Sequence, residues 1–219
     1  RVIPARLVGR RRETGGRVEL LLVRPLAGNC WVALGRPGRR LKVGAEVVFG
    51  DGLLLARVVD YAAGGGRVVE LSDGGSRSEV LAKVGTVPLP PYIKRPLADA
   101  ERYQTVYART PGSVAAPTAG LHFTPELLAA LEGRGITLVR LLLHVGPGTF
   151  RPVQAQDITA HRMEAEYYCL SAEAAQAINA ARDRGGRVVA VGTTTTRCLE
   201  TVSTADGRVS PGEGWTDLF

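Results

Sequence analysis

Between Val87 and Pro96 four prolines fall within ten residues, and this stretch restricts the chain more sharply than any other. Each proline fixes φ near about −65° and removes a backbone donor, so neither a helix interior nor a central strand can run through it. It is a linker or a rigid loop facing a substrate, and the apolar pattern changes across it. From Arg17 to about Leu81 short β-rich runs alternate with turn signals: Val18 to Val23, Trp31 to Leu34, Ala45 to Phe49, Leu53 to Tyr61 and Arg67 to Leu71. Gly50-Asp51-Gly52 and Gly64-Gly65-Gly66 read as hairpin connections, because glycine supplies the positive φ such turns demand. Strands at this spacing predict a small barrel or sandwich. The region has no His and no carboxylate cluster, so binding or scaffolding is its expected role.

Beyond the prolines the pattern turns to mixed helix and strand. Thr124-Pro125-Glu126 offers a cap, a first-position proline and a first-turn acid, followed by Leu127, Leu128 and Leu131 on one face and Gly133 as a stop. Ile136 to Val145 reads as a buried strand ending at Gly146-Pro147-Gly148. Ser171 caps a helix through Arg184, Gly185-Gly186 ends it, and Arg187 to Val191 reads as a further strand entering Gly192-Thr193-Thr194-Thr195-Thr196. Strand, helix, strand at this spacing predicts a crossover unit in a mainly parallel sheet, hence an α/β domain. Ligands of such sheets gather beyond the carboxyl ends of strands, where His144 to Thr149 and Gly192 to Arg197 would lie.

Composition excludes several classes. With 219 residues, 45% apolar and 22% charged, the chain can bury a core and is neither disordered nor fibrous. No apolar run approaches the roughly 18 residues of a membrane helix. The start, Arg1-Val2-Ile3-Pro4, has no initiator Met and no signal-peptide pattern, which suggests a beginning inside a longer chain. The net charge is +7, and all the cations except Lys42, Lys83 and Lys94 are Arg. Arginine's planar fork suits phosphate, although solvated arginines from a biased codon pool explain the same count. Cys30, Cys169 and Cys198 are odd in number and widely spaced, against a disulfide framework or zinc finger and in favour of a reducing cytoplasm.

All three histidines, His122, His144 and His161, follow the prolines. Each sits near a loop or strand end and can act as acid, base or neutral donor, although a lone His is more often structural. His161, Glu164 and Glu166 could in principle hold a metal, but no second His stands at ligand spacing, and binding of ribose hydroxyls or an ammonium is a better use of the carboxylates. The threonine-rich turn after Gly192 leads into a helix start whose free N–H groups can hold a carboxylate, phosphate or ribose, without the Lys and glycine spacing of a P-loop.

Five stretches occur in order: Leu89-Pro90-Pro91-Tyr92-Ile93, Tyr103 to Ala108, Gly112 to Thr124, His144 to Phe150 and Val191 to Arg197. Together they resemble the S-adenosylmethionine:tRNA ribosyltransferase-isomerases of queuosine biosynthesis, over essentially the whole chain. Two departures accompany the likeness: many relatives read His where this chain has Glu164, and relatives continue past Phe219 through another His-containing motif.

The resemblance implies an α/β domain interrupted by a β-barrel, with residues 1–16 beginning the α/β domain or joining the domains, 17–87 forming the barrel and 88–219 the rest. It implies a cytoplasmic transferase, monomeric and not bound to membrane, that moves and isomerises the ribosyl group of S-adenosylmethionine onto 7-aminomethyl-7-deazaguanine in tRNA. No cofactor beyond that cosubstrate and no metal is implied. His122, His144 and His161 are then the catalytic candidates. Arg109, Pro117, Thr118, Gly120, Phe123, Gly146, Thr149, Phe150, Glu164, Glu166, Gly192, Thr193, Thr194 and Arg197 are the expected substrate contacts. By charge and shape, Glu164 or Glu166 suits the sulfonium and ammonium, Arg197 or the N–H groups near Thr194 the methionyl carboxylate, and Phe123 and Phe150 the bases. A noncatalytic RNA-binding protein is the alternative, but it calls for aromatics interleaved with basic residues. Aromatics are only 5% here and most fall at or after Tyr92. A metal-dependent hydrolase built on His161, Glu164 and Glu166 would need stoichiometric metal.

Overall fold

The computed structural model describes residues 1–95, 97–150 and 163–218, apart from the side chains of Thr149 and Phe150. The chain divides into two units: Val2–Ile93, and Lys94–Phe219 together with Arg1.

In the first unit strands β1 (Arg6–Arg11), β2 (Arg17–Pro25), β3 (Cys30–Arg36), β4 (Glu46–Phe49), β5 (Leu54–Tyr61) and β6 (Arg67–Asp73) pair in the order β2-β3-β6-β5-β4-β1. Because β1 also pairs with β2, the sheet closes into a six-stranded antiparallel barrel. Period-two alternation fills it: Val18, Leu20 and Leu22 of β2 point inward with Leu7, Val47, Phe49, Leu54, Val69 and Leu71, all essentially inaccessible. Register shifts between Leu22 and Arg24 and between Val58 and Asp60 supply the local bends that closure needs. Gly9 permits the closing contact, since a Cβ there would collide with the Val48 carbonyl and the Phe49 ring. Helix α1 (Arg77–Val84) and the short strand β7 (Gly85–Thr86), which pairs with β1, follow the barrel.

Two expectations change here. Of residues 1–16 all but Arg1 belong to the barrel unit and neither begin the other domain nor merely join the two, because β1 is a barrel stave with Leu7 facing in and Val8 facing out. Its alternation is hidden in a stretch that is otherwise arginine and glycine. The unit also runs on to Ile93, so the break falls inside the proline-dense segment and not at its start.

The second unit holds α2 (Pro125–Gly133), β8 (Leu142–Leu143), β9 (Glu166–Leu170), α3 (Ala172–Asp183), α4 (Thr193–Val202) and β10 (Gly212–Thr216). Thr124 caps α2 through the Leu127 N–H at 3.2 Å, and Ser171 caps α3 through the Ala174 N–H at 3.2 Å. Ala174, Ala175 and Ile178 of α3 pack with Leu170 and Val209. The sheet order is β10-β9-β8, and both pairings are antiparallel. The fold is therefore mixed α and β, and among the described residues no parallel ladder exists to support the mainly parallel sheet. Ile136 to Val145 contributes only Leu142–Leu143 as strand, and Arg187 to Val191 contributes none. An apolar, β-branched run becomes a strand only when a neighbour supplies backbone partners. Val189 instead stands 77% exposed, and it is β10 that lies against β9. Among the described residues no helix is long and apolar enough to cross a membrane.

Candidate active site

Four segments of the second unit meet around the end of β8. The Gly112–Ala116 stretch docks on it: Val114 and Ala115 donate N–H bonds to the Val145 carbonyl at 2.8 and 3.3 Å, and the Val145 N–H returns one to buried Ser113 Oγ at 3.3 Å. Gly112 has φ of 145°, and a Cβ there would lie 2.6 Å from the His144 ring. Glycine at this position lets the backbone lie against the imidazole.

His144 is fixed by its own N–H to the Tyr167 carbonyl, 2.8 Å, and its ring stacks on Tyr167 at 5.7 Å. Its Nδ1 is buried without a hydrogen-bond partner among the described residues. Burial first, and the Arg1 α-ammonium second, push its pKa below the ordinary histidine range, so the ring is neutral near pH 7. Tyr167 in turn donates its hydroxyl to Glu213 at 2.6 Å and meets Trp215 edge-on at 5.8 Å. The bond to Glu213 is the main cause that pushes the Tyr167 phenol up to about 12, so it stays protonated.

Past His144 the Gly146 N–H donates to Glu166 Oε1 at 2.7 Å, while Glu166 Oε2 is paired with Arg197. Glu166 is 2% exposed and Arg197 14%, which makes this a buried ion pair spanning β9 and the first turns of α4. Glu164 lies beside Gly148, where a Cβ in place of the glycine hydrogen would stand 3.5 Å from the Cβ of Glu164. Gly192 takes φ of 87° at the start of α4, offers no side-chain cap and approaches Ala119 of the Thr118–His122 turn. Cys198, one turn into α4, is fully buried with Ala115, Leu143 and Val145. Burial is the main cause that pushes its thiol up to about 11, so it packs and does not react.

The expected residues thus divide. Gly146, Glu166 and Arg197 are joined by hydrogen bonds just past His144, Glu164 lies beside Gly148, and Gly192, next to Thr194, approaches the Thr118–His122 turn, in which Gly120 is buried against Tyr107 and which half-buried Pro117 and Phe123 flank. His122, Thr118 and Thr193 are exposed at its rim, and Arg109 is exposed with no partner among the described residues. His161 and the side chains of Thr149 and Phe150 lie outside the described residues. Among the described residues no three His, Cys, Asp or Glu gather to hold a metal. Sequence reasoning missed Ser113, Tyr167 and Cys198. Ser113 lies in the Gly112 to Thr124 stretch, but no local pattern gives its hydroxyl a role, and nothing in the order of residues places Tyr167 under His144.

A neutral imidazole with an unpartnered nitrogen, a glycine turn and a helix start without a side-chain cap are the features of this region that could serve a polar ligand or a proton transfer. The sequence profile of queuosine biosynthesis proteins matches residues 1–219, and the chain belongs to that family. Curated relatives named S-adenosylmethionine:tRNA ribosyltransferase-isomerase include one from Pelotomaculum thermopropionicum, 59% identical over 219 residues, and one from Moorella thermoacetica, 57% identical over 220. All of this chain is covered in both, and the chain spans about 64% of each relative's length. A crystal structure of S-adenosylmethionine tRNA ribosyltransferase from Thermotoga maritima is 30% identical, with all of this chain and 57% of that chain covered and a TM-score of 0.34.

Proposed function

We propose that this chain carries the reactive site of an S-adenosylmethionine:tRNA ribosyltransferase-isomerase. The ribosyl group of S-adenosylmethionine passes to 7-aminomethyl-7-deazaguanine in a tRNA anticodon and is isomerised to the epoxycyclopentanediol of epoxyqueuosine, with adenine and methionine released. The observation that carries this reading is the family match over every residue, including the segments that meet around His144. S-adenosylmethionine serves as cosubstrate with no further cofactor, and the enzyme works as a cytoplasmic monomer.

A sulfonium acidifies the hydrogens on its C5′ carbon, so a base of modest strength can remove one and leave the electron pair on carbon as an ylide beside the positive sulfur. We assign that base to His144, because its ring is already neutral and its Nδ1 holds no other hydrogen bond among the described residues. Glu164, beside Gly148, faces the cationic groups. The first N–H groups of α4 take the methionyl carboxylate, and Phe123 supplies a flat wall. Glu166 and Arg197 satisfy each other and hold the two turns in place, and we assign them a positioning role.

Incubation with S-adenosylmethionine and tRNA bearing the aminomethyl base should release adenine and give a mass-shifted nucleoside. His144→Ala should slow this by at least about tenfold, the low end of what a positioned base supplies. If the chain releases no adenine while a full-length relative does so alongside it, the reading fails for this chain.

A further inference from the structure

The barrel is electrostatically lopsided. Its antiparallel order brings the end of β1, the start of β2, the end of β3 and the start of β6 to one rim, together with the loop that follows β3. Arg17, Arg36, Arg39 and Lys42 on that rim are all exposed, and none of their side chains has a hydrogen-bond or ion-pair partner among the described residues. Arginines elsewhere on the barrel are engaged. Arg6 forks onto Glu19 through two bonds of 2.9 Å, and Arg77 binds Asn29 at 2.6 Å and Asp73 at 3.3 Å.

The rim is also built to stay in place. Arg67 donates to the carbonyls of Leu41 at 2.6 Å, Gly38 at 3.2 Å and Gly65 at 2.8 Å, and lies over the Tyr61 ring at 4.7 Å. Arg40 donates to the Arg17 carbonyl at 2.9 Å. These bonds pin the loop that carries Arg39 and Lys42 against the strand that carries Arg17. Arg10 stands directly opposite Arg17 in the β1–β2 ladder, a like-charge pairing that costs stability and that a purely structural barrel has no reason to keep.

We propose that this rim is the docking face for the tRNA phosphate backbone, with Arg17, Arg36, Arg39 and Lys42 as the phosphate contacts and Arg67 and Arg40 as the residues that fix their spacing. The proposal rests on the tRNA-modifying reading above and adds where the RNA is held. Three unpartnered guanidinium groups offer bidentate donors to phosphate, and the Lys42 ammonium a point charge, without first breaking an ion pair. Such contacts position the RNA without reading its sequence.

The test uses the 219-residue chain and an unmodified tRNA transcript, with affinity measured by fluorescence anisotropy between about 50 and 200 mM salt. The variant Arg36→Glu/Arg39→Glu/Lys42→Glu is compared with a charge-matched control, Lys83→Glu/Arg134→Glu/Arg187→Glu. Loss of three phosphate contacts should make the log–log salt slope shallower by about two to three and weaken binding at least about tenfold near 100 mM. The control should keep most of the wild-type slope, and melting should be unchanged, since the replaced side chains are exposed and bond to nothing among the described residues. Equal losses in both variants, or none in the rim variant, would overturn the docking face, as would a wild-type chain that binds no tRNA. Adenine release is measured separately, so a chain that reacts but ignores the rim substitutions loses only this proposal.

Discussion

Glu166 answers two groups at once, the Gly146 N–H and the Arg197 guanidinium, from a position almost closed to solvent. Removing one partner of such a pair leaves a buried charge uncompensated. Glu166→Ala should therefore cost about 3–5 kcal/mol in urea unfolding, and Glu166→Gln less, because the amide oxygen still accepts from Gly146. A further Arg197→Met in the Ala background should cost less than the same change in wild type; strict additivity of the two would mean the residues do not act as a pair. His144 gives a pH signature. Its folded pKa is depressed below the unfolded value of about 6.5, so the unfolded chain binds the extra proton and stability falls as pH drops through about 6.5 toward the folded pKa. Above that window the group is neutral in both states and contributes no slope. His144→Gln should flatten this part of the profile of Tm against pH, and a variant profile parallel to wild type would remove the claim of a desolvated ring. At this scale the sequence reveals the breaks at Gly146-Pro147-Gly148 and Gly192, but Thr193 to Thr196 form the first turn of α4 and not a turn before a helix starting near Arg197, because Gly192 at φ of 87° already begins the helix. It does not reveal that Glu166 and Arg197, 31 positions apart, consume each other's charge.

Among the elements, strands with period-two alternation and helices with caps were legible. Val18 to Val23 and Arg67 to Leu71 lie inside β2 and β6, and the Thr124 and Ser171 caps both bond as their chemistry requires. Two kinds of element were not. β1 carries its inward Leu7 between arginines, and closure of a barrel depends on a partner strand that no local pattern names. Arg187 to Val191 is not the strand its composition predicts, because an apolar run alone does not say which neighbour pairs with it. The consequence is a specific excision. Deleting residues 17–81 would leave β1 and β7 paired only with each other and expose Leu7, whereas Val2–Ile93 takes the whole closed sheet. A fragment of residues 2–93 should fold alone and give a cooperative thermal transition with a β-type circular dichroism spectrum. A non-cooperative melt by that fragment would show that the barrel needs the rest of the chain.

For the molecule as a whole, burial is unevenly shared, and that asymmetry predicts where the structure opens. The barrel encloses a continuous set of side chains with almost no exposure, drawn from all six staves, and its closed sheet has no free edge within the ring. Among the described residues the second unit has two smaller clusters, one under α3 and one around Cys198, while α2 buries none of its residues and Val188 and Val189 lie in the open. Local opening free energies follow such differences, from near zero in poorly buried segments up to the global value in core strands. Amide hydrogen exchange should therefore be slowest in β2, β5 and β6, intermediate in α3 and β9, and fast in α2 despite its Thr124 cap. A cap contributes about 1 kcal/mol, which cannot replace the packing that α2 lacks. Thr124→Ala should accelerate exchange in α2 without changing protection in the barrel. Should α2 exchange as slowly as β5 in this chain, the burial argument would fail, and the helix would have to be held by contacts that its exposure does not show.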